Sequence, residues 1–598
     1  MARSSPVGFG PIPLVFSVTG HRDLVGEDIP RLEAGVRQVF QAMQTRYPHS
    51  PLRLLSPLAE GADHLAARVA LELGGELVAP LPLPPQDYAR DFVTIESRQE
   101  FERLLKRASQ VFVLPAVSGS NSTIPASNLS ERERQYEEAG SYAVRHSHFL
   151  IALWDGENLE LPGGTASIVM FKVLGVPGKR LNPLDVPDLG ILFHIPARRQ
   201  RDSQSYVGDY NQFCKQAWIK AEGQLGGTWE HQTGVYATCS PEAVSLKGFE
   251  RIISRMDEFN RRTTEATGRE ENSVKDPAAF DQADASIRAA YQYADFLAVS
   301  FRASYRHALI AIYCTAAATG LSFGVLNLPG WDAPSLALVY AVLFLATAAA
   351  FQLQKKKGWF DDYLEYRALA EGLRVQRFWQ IAGLGYGADR VEAFDLYLRK
   401  QVGEIGWVRE SLRALSCHEP VSSDHPARQF IYKYWVKEQA DYFNATAERD
   451  RLKLRRFRRI ASAFYWTGLI AALTIRGLTY ASINVLGADR SLNLALRLLL
   501  VAPAFGALVS SYSRHLVLDE QEKAYRLMAE LFSNGKRQIE ALGPAPNLLY
   551  YEAILRALGS EALRENADWL HLHSTHPVES PYTIPRISLR WWRKREVA

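Results

Sequence analysis

Three short clusters in the first 165 residues combine glycine with side chains that bind anions or sugars. Thr19-Gly20-His21-Arg22 closes one apolar run. Ala59-Glu60-Gly61-Ala62-Asp63 follows a second and leads into a helical stretch. Trp154-Asp155-Gly156 ends a third, and Gly163-Gly164-Thr165 opens the helix after it. Glycine lets backbone N–H groups approach a phosphate, and the first turn of a helix offers unpaired donors at a positive dipole end. Arg22 can pair with a phosphate through two parallel hydrogen bonds. Asp155 or Glu60 can accept from ribose hydroxyls. One such loop is often only a tight turn, but three in one repeating pattern point to a nucleotide site. His21, beside a glycine at a strand end, has either of two roles: ligand contact or capping hydrogen-bond partner. No Ser/His/Asp or HExxH arrangement stands in the sequence, and no metal site is expected. Cys214, Cys239, Cys314 and Cys417 are far apart with no CxxC pair, which argues against a zinc site or disulfide framework and fits a reducing cytosol.

The elements that must position these clusters are short apolar strands alternating with amphipathic helices. Strands are expected at 14–18, 52–56, 77–81, 111–114, 149–154 and 191–195. Helices are expected at 31–46, 63–73, 98–107, 131–146 and 165–174. Apolar strands without alternation suit a parallel sheet covered on both faces, hence a doubly wound, Rossmann-like α/β domain over residues 1–197. Such sheets bind ligands at the carboxyl ends of their strands, where all three clusters fall. The apolar PLVFSV segment is short and runs into TGHR, so it reads as the first strand and not as a signal peptide.

The second half carries four apolar stretches: 308–326, 336–353, 460–478 and 492–511. Each approaches the ~20 residues needed to cross a bilayer. Arg302, Arg306 and Lys355–Lys357 bracket the first pair; seven cations between Arg449 and Arg459 precede the third stretch, and Arg514 follows the fourth. The connections 327–335 and 479–491 carry almost no Lys or Arg. The positive-inside rule therefore directs both tips outward and both termini into the cytosol. The expected architecture is an α/β domain followed by an α-helical membrane domain with four transmembrane helices in two hairpins. The expected layout is a helical connector at 198–285, hairpin modules at 286–425 and 426–545, and a helical, basic tail at 546–598. In that tail, Leu589–Arg595 combines basic residues with tryptophan, which suits either lipid headgroups or solvent.

The hairpins read as two copies of one module. Tyr366-Arg367-Ala368-Leu369-Ala370-Glu371 follows the first pair and Tyr525-Arg526-Leu527-Met528-Ala529-Glu530 the second. Ala294-Asp295-Phe296 matches Ala440-Asp441-Tyr442 ahead of them. Intrahelical pairs Arg367/Glu371 and Arg526/Glu530 follow from the four-residue spacing. Gly320 with Gly324, and Ala502 with Gly506, are small-residue pairs that allow close helix approach. Pro503 is expected to kink the fourth span. Arg476 and Arg497 are the charges inside the spans, suited to snorkelling or to lining a vestibule.

The motifs VTGHR, LAEGAD and ALWDG…GGT, in this order, resemble the SLOG superfamily of Rossmann-like nucleotide sensors, which includes LOG-like and DprA-like proteins and the sensor of TRPM channels. The resemblance covers most of residues 10–197. It implies a nucleotide pocket lined by Gly20, His21, Arg22, Gly61, Ala62, Asp63, Gly163, Gly164 and Thr165. LOG-type hydrolases carry a glutamate one turn into the helix after PGGxGT. Here the run is Pro162-Gly163-Gly164-Thr165-Ala166-Ser167-Ile168-Val169, with no carboxylate. Glycosidic hydrolysis lacks its acid, and the resemblance implies binding instead. Residues 285–380 and 425–540 resemble the SLATT family of two-helix membrane effectors, which implies pore formation in bacterial defence.

The chain has 598 residues, 47% hydrophobic and 22% charged, with a net charge of only +4, which gives no reason to expect nucleic acid as a partner. The expectation is a nucleotide-gated effector of the bacterial inner membrane, homo-oligomeric, surrounded by lipid and sensing a nucleotide second messenger or NAD-derived signal. The alternative is a membrane-anchored nucleotide-processing enzyme.

Overall fold

The structure is a computed structural model that describes residues 10–117, 129–156, 163–174, 190–200, 218–220, 234–238, 246–266, 285–326, 334–384, 392–398, 405–417, 425–480, 490–543 and 547–574. Most of the two hairpin tips, Cys214, Cys239 and the Leu589–Arg595 segment lie outside them. The chain forms two compact units. The first is Met1–Asp295 with Ala368–Ile431 and Leu542–Arg564; the second is Phe296–Arg367 with Tyr432–Ala541 and Glu565–Ala598.

The first unit opens as alternating strands and helices: β1 (Leu14–Gly20), α1 (Ile29–Arg46), β2 (Leu52–Leu55), α2 (Ala62–Glu72), β3 (Glu76–Leu81), α3 (Pro85–Tyr88), α4 (Ile95–Arg107), β4 (Gln110–Val113), α5 (Leu129–Arg145), β5 (Phe149–Trp154), α6 (Thr165–Leu174) and β6 (Ile191–Pro196). β7 (Trp218–Lys220) and β8 (Gly234–Thr238) follow, so the segment expected to be a helical connector also carries two strands before α7 (Leu246–Ala266). The sheet order is β4-β3-β2-β1-β5-β6-β8-β7. The first six strands are parallel, as their unbroken apolar runs require, and β8 and β7 add antiparallel at one edge. Strands β1 to β4 build outward in one direction and β5 to β6 in the other. The topological switch point therefore lies between β1 and β5.

The amino edge of this sheet is closed by later segments of the same unit. Asn260 on α7 accepts from the Ile12 N–H (3.0 Å) and donates to the Ile12 carbonyl (2.8 Å), and Asp257 accepts from the His49 N–H (2.9 Å) and Ser50 Oγ (2.8 Å). After α8 (Ala285–Leu326), α9 (Pro334–Lys357), α10 (Trp359–Ile381) and α11 (Ala393–Leu396), helix α12 (Gly406–Ala414) returns to the same edge. His148 at the start of β5 accepts from the Val15 N–H through Nδ1 (3.1 Å) and donates through Nε2 to the Glu410 carbonyl (3.2 Å). Burial holds this imidazole neutral, its pKa pushed down to about 3.

The remaining helices are α13 (His425–Ile431), α14 (Glu438–Tyr480), α15 (Arg490–Leu499), α16 (Ala502–His515), α17 (Leu518–Leu542) and α18 (Leu548–Ser574). Among the described residues, three helical stretches are long and apolar enough to cross a membrane: Ala285–Leu326, Pro334–Ile381 and Ala495–Leu542. Between 11% and 17% of their most apolar windows is buried, so these apolar faces point away from the protein. Three, and not the expected four, meet this criterion. Stretch 460–478 lies in α14, where Arg476 and the run Tyr465-Trp466-Thr467 lower its hydropathy.

The two helical segments that begin with α8 and α14 share a backbone signature. Each has a helix of 42 or 43 residues, a return, and a further helix of 23 or 25 residues. The last helix is preceded by a left-handed residue, Gly358 (φ 62°) in one and Val517 (φ 50°) in the other. Gly358 stands eight residues before Tyr366, and Val517 eight before Tyr525. In the second YRxxAE segment the arginine pairs one turn back, Arg526 with Glu522, instead of forward with Glu530, and in the first Glu371 takes Arg374 at 2.6 Å.

Candidate functional site

The carboxyl edge of the sheet is built by loops locked to one another. β1 ends at Gly20, opposite Leu153 of β5. A Cβ on Gly20 would stand 2.5 Å from both the Ala62 Cβ and the Leu153 carbonyl oxygen. Gly61, at φ 73° and ψ −108°, lies where a side chain does not fit, and a Cβ there would meet the His21 oxygen at 2.4 Å and the Arg22 oxygen at 2.5 Å. The Ala62 N–H donates to the His21 carbonyl (3.1 Å). The first two clusters therefore form one interlocked unit, and glycine serves close backbone contact at both positions.

Asp63 holds the inside of this unit. Its Oδ2 accepts from Ser56 Oγ (2.8 Å) and from the Ala59 N–H (3.4 Å), and Ser56 Oγ accepts from the N–H of left-handed Leu58 (3.0 Å). The carboxyl is 4% exposed, and burial raises its pKa to about 6. Glu60 Oε1 accepts from the Val93 N–H (3.0 Å). Both acids thus hold protein donors at the positions where sequence reasoning placed ligand contacts.

His21 and Asp155 meet at the switch point. The Asp155 N–H reaches His21 Nε2 at 3.0 Å, and Asp155 Oδ2 lies 3.1 Å from the same nitrogen. The second distance is that of an ion pair. A peptide N–H can only donate, however, so its aligned hydrogen bond fixes Nε2 as acceptor and places the ring proton on Nδ1. Arg199 Nε, 3.0 Å from Asp155 Oδ2, supplies the carboxylate's counter-charge. His21 is 3% exposed, and its Nδ1 has no hydrogen-bond partner among the described residues. An imidazole whose Nδ1 meets no protein partner among the described residues therefore sits between β1 and β5.

Arg22 is exposed and forms no ion pair among the described residues; its guanidinium lies 5.2 Å from the centre of the Tyr136 ring. The Tyr136 hydroxyl bonds to Asp91, which also takes Arg132 at 2.5 Å. Burial and this carboxylate push the phenol up to about 12. Tyr88 packs on Tyr136 (6.1 Å), Phe92 (5.2 Å) and Phe101 (5.6 Å), making an aromatic wall beside Arg22. Tyr136, Asp91 and Arg132 carried no signal in the sequence, because they come from the middle of a charged helix and from a loop.

Gly163 (φ 70°) turns the chain into α6, and a Cβ there would meet the Glu137 nitrogen (3.0 Å) and the Glu133 oxygen (3.1 Å). The same turn of α5 thus touches the loop after β1 through Tyr136 and the turn before α6 through Glu133 and Glu137. Gly164 accepts the Ile168 N–H (3.1 Å), and Thr165 begins α6, both half-buried. The structure brings Gly20, His21, Arg22, Gly61, Ala62 and Asp155 to one edge and ties Gly163 to it by way of α5. This edge offers anion-binding and stacking groups. Among the described residues no cluster could hold a metal ion.

In the second unit the small residues divide. A Cβ on Gly324 would meet Val501 (2.7 Å), and one on Gly506 the Ala461 oxygen (3.1 Å), whereas Gly320 faces open space. Within the single chain, Gly324 packs and Gly320 does not. Gly468, unmarked by sequence reasoning, takes the Pro503 ring, which would be 2.3 Å from its Cβ. Pro503 follows a break at 500–501 that splits the fourth apolar stretch into α15 and α16. Arg476 is exposed, and Arg497 is half-buried with a partner. No protein-family model and no curated protein matches this chain.

Proposed function

We propose that the chain is a nucleotide-gated membrane effector of the SLOG–SLATT kind. The observation that carries the reading is the switch point, where, among the described residues, His21 Nδ1 meets no protein partner and Arg22, without an ion pair, lies against the Tyr136 ring of an aromatic wall. Doubly wound sheets take their ligands at this place. Arg22 and the first turn of α6 would hold phosphate, His21 would donate to a sugar or phosphate oxygen, and Tyr136 would flank a base. The ligand would be a small phosphate-bearing nucleotide, either a second messenger or an NAD derivative. It moves the membrane helices only by the difference in its affinity for two states. A homo-oligomer would open the pore, in bacterial defence at the inner membrane.

The four-span arrangement belongs to this proposal. Stretch 460–478 packs along α16 through Gly468/Pro503 and Gly506/Ala461, and it exposes Trp466, Leu469, Ile470 and Leu473 as a lipid-facing span would. Four spans return both termini to the cytosol. Reporters at 327–335 and 479–491 should then read extracytoplasmic and one near 400 cytosolic; cytosolic signals from both tips would overturn the topology.

The functional test uses the full chain in detergent against a nucleotide panel, by calorimetry. Arg22→Ala removes a charge-assisted contact of ~1.5–3 kcal/mol, or roughly 10- to 150-fold in affinity. Gly164→Glu should abolish binding, while Gly506→Leu should keep binding and lose membrane depolarisation in cells. Unchanged affinity in both α/β variants would move the pocket elsewhere. Nucleotide consumption by the wild type, with depolarisation intact in Gly506→Leu, would establish an anchored enzyme instead.

A further inference from the structure

The basic segment that precedes the apolar part of α14 is not uniform. Arg451 pairs with Glu448 (3.0 Å), Lys453 with Asp450 (2.9 Å) and Arg458 with Asp519 (3.2 Å). Arg455, Arg456 and Arg459 are exposed and have no ion pair or hydrogen bond among the described residues. Their spacing of i, i+1 and i+4 puts these three on one face of the helix. The face continues outward through Trp466, Ile470 and Leu473, which are 61%, 60% and 64% exposed. At 1.5 Å per residue, Leu473 lies ~21 Å beyond Arg459, enough to cover the ~15 Å hydrocarbon depth of one leaflet. A stripe with three guanidiniums free of ion pairs among the described residues at one end and bare apolar side chains above them is complementary in length and charge to a single anionic phospholipid.

We propose that this face of α14 is a binding site for an anionic phospholipid. The headgroup phosphate docks on Arg455, Arg456 and Arg459, and an acyl chain lies along Trp466, Ile470 and Leu473. Guanidinium pairs with phosphate oxygens in two parallel hydrogen bonds, and three unpaired cations select a headgroup with net negative charge over a zwitterionic one. The site rests on the entry of α14 into the bilayer and is independent of any nucleotide.

The test uses the full chain reconstituted into nanodiscs of phosphatidylcholine with a minor share of phosphatidylglycerol. Lipids retained by the protein after detergent extraction are quantified. The wild type should be enriched in phosphatidylglycerol by about tenfold, the size of one charge-assisted contact. The triple variant R455Q/R456Q/R459Q should lose the enrichment. R451Q/K453Q/R458Q, with the same loss of charge among the paired cations, should keep it. Brominated phosphatidylglycerol should quench the wild type more than brominated phosphatidylcholine, and the difference should vanish in Trp466→Phe. Excess glycerol phosphate should not compete. Equal loss in both triple variants would reduce the effect to bulk charge and overturn the site, and competition by glycerol phosphate would assign the arginines to a soluble anion. Failure of the wild type to enter neutral nanodiscs would overturn the membrane reading itself, and insertion is scored separately for that reason.

Discussion

Replacing Gly61 by alanine tests whether the loops after β1 and β2 are one unit. The backbone at φ 73° costs a non-glycine residue ~1–2 kcal/mol. The new Cβ would also stand 2.4 and 2.5 Å from two carbonyl oxygens, and forcing atoms into filled space costs a further ~1–3 kcal/mol. The expected loss is ~2–5 kcal/mol, a fall of roughly 4–20 °C in the melting of the α/β unit. Two other glycines separate the terms. Gly74 has φ 78° and nothing within 4 Å, so Gly74→Ala should lose only the backbone part, ~1–2 kcal/mol. Gly26 has neither constraint, so Gly26→Ala should stay within ~0.5 kcal/mol of the wild type. The assay is thermal melting of the full chain in detergent, followed by circular dichroism. If Gly61→Ala melts no lower than Gly74→Ala, the two loops are not pressed together and the interlock is refuted.

Gly468→Leu should drive α14 from α16 and destabilise by about 1–3 kcal/mol, read as a lower melting temperature, while Gly320→Leu, facing open space, should melt like the wild type. Burial lowers the pKa of His64, His148 and His194 to about 4, 3 and 4. The unfolded chain takes up these protons first, so stability should be full above pH ~6.5 and fall toward pH 4 by on the order of 3 kcal/mol per histidine; a flat urea-midpoint profile over that window would contradict it. Asp63, raised to about 6, has the opposite sign: its neutral form is favoured in the fold, and stability is lost as pH rises from ~4 through 6. Asp63→Asn should therefore stabilise at pH 8 by up to ~3 kcal/mol, with the gain shrinking toward pH 4. Asn260→Ala should cost ~2–5 kcal/mol by stranding the buried Ile12 N–H and carbonyl, measured by urea unfolding.

The strands were legible because a fully buried parallel strand is an apolar run bounded by polar turns, and Phe149–Trp154 is such a run. His21, Arg22 and Gly61 were legible through position, since glycine at a strand end marks the ligand edge of this fold. Their partners were not. Asn260 reaches Ile12 across 248 residues and Glu410 reaches His148 across 262, and no local pattern encodes such contacts. Asp63 shows the converse: a conspicuous acid in a conspicuous motif whose oxygen is occupied by Ser56. In the membrane half, length and apolarity marked the helices, but spacing alone could not separate Gly324, which packs on Val501 of the same chain, from Gly320, which meets nothing within it. Arg476 kept 460–478 below the criterion that the other three helices meet.

The closure of the sheet's amino edge by α7 and α12 sets an order of events during synthesis. The six parallel strands are complete at Pro196, yet the Glu410 carbonyl that receives His148 is made about 200 residues later. At ~5–20 residues per second that interval is ~10–40 s. The apolar helices between these points emerge first and must reach the insertion machinery while the nascent sheet still has an open edge. Translation speed and chaperone occupancy over residues 200–410 therefore bear directly on the yield of folded protein. Slow codons placed after residue 417, once the edge is closed, should be tolerated better than slow codons within that window.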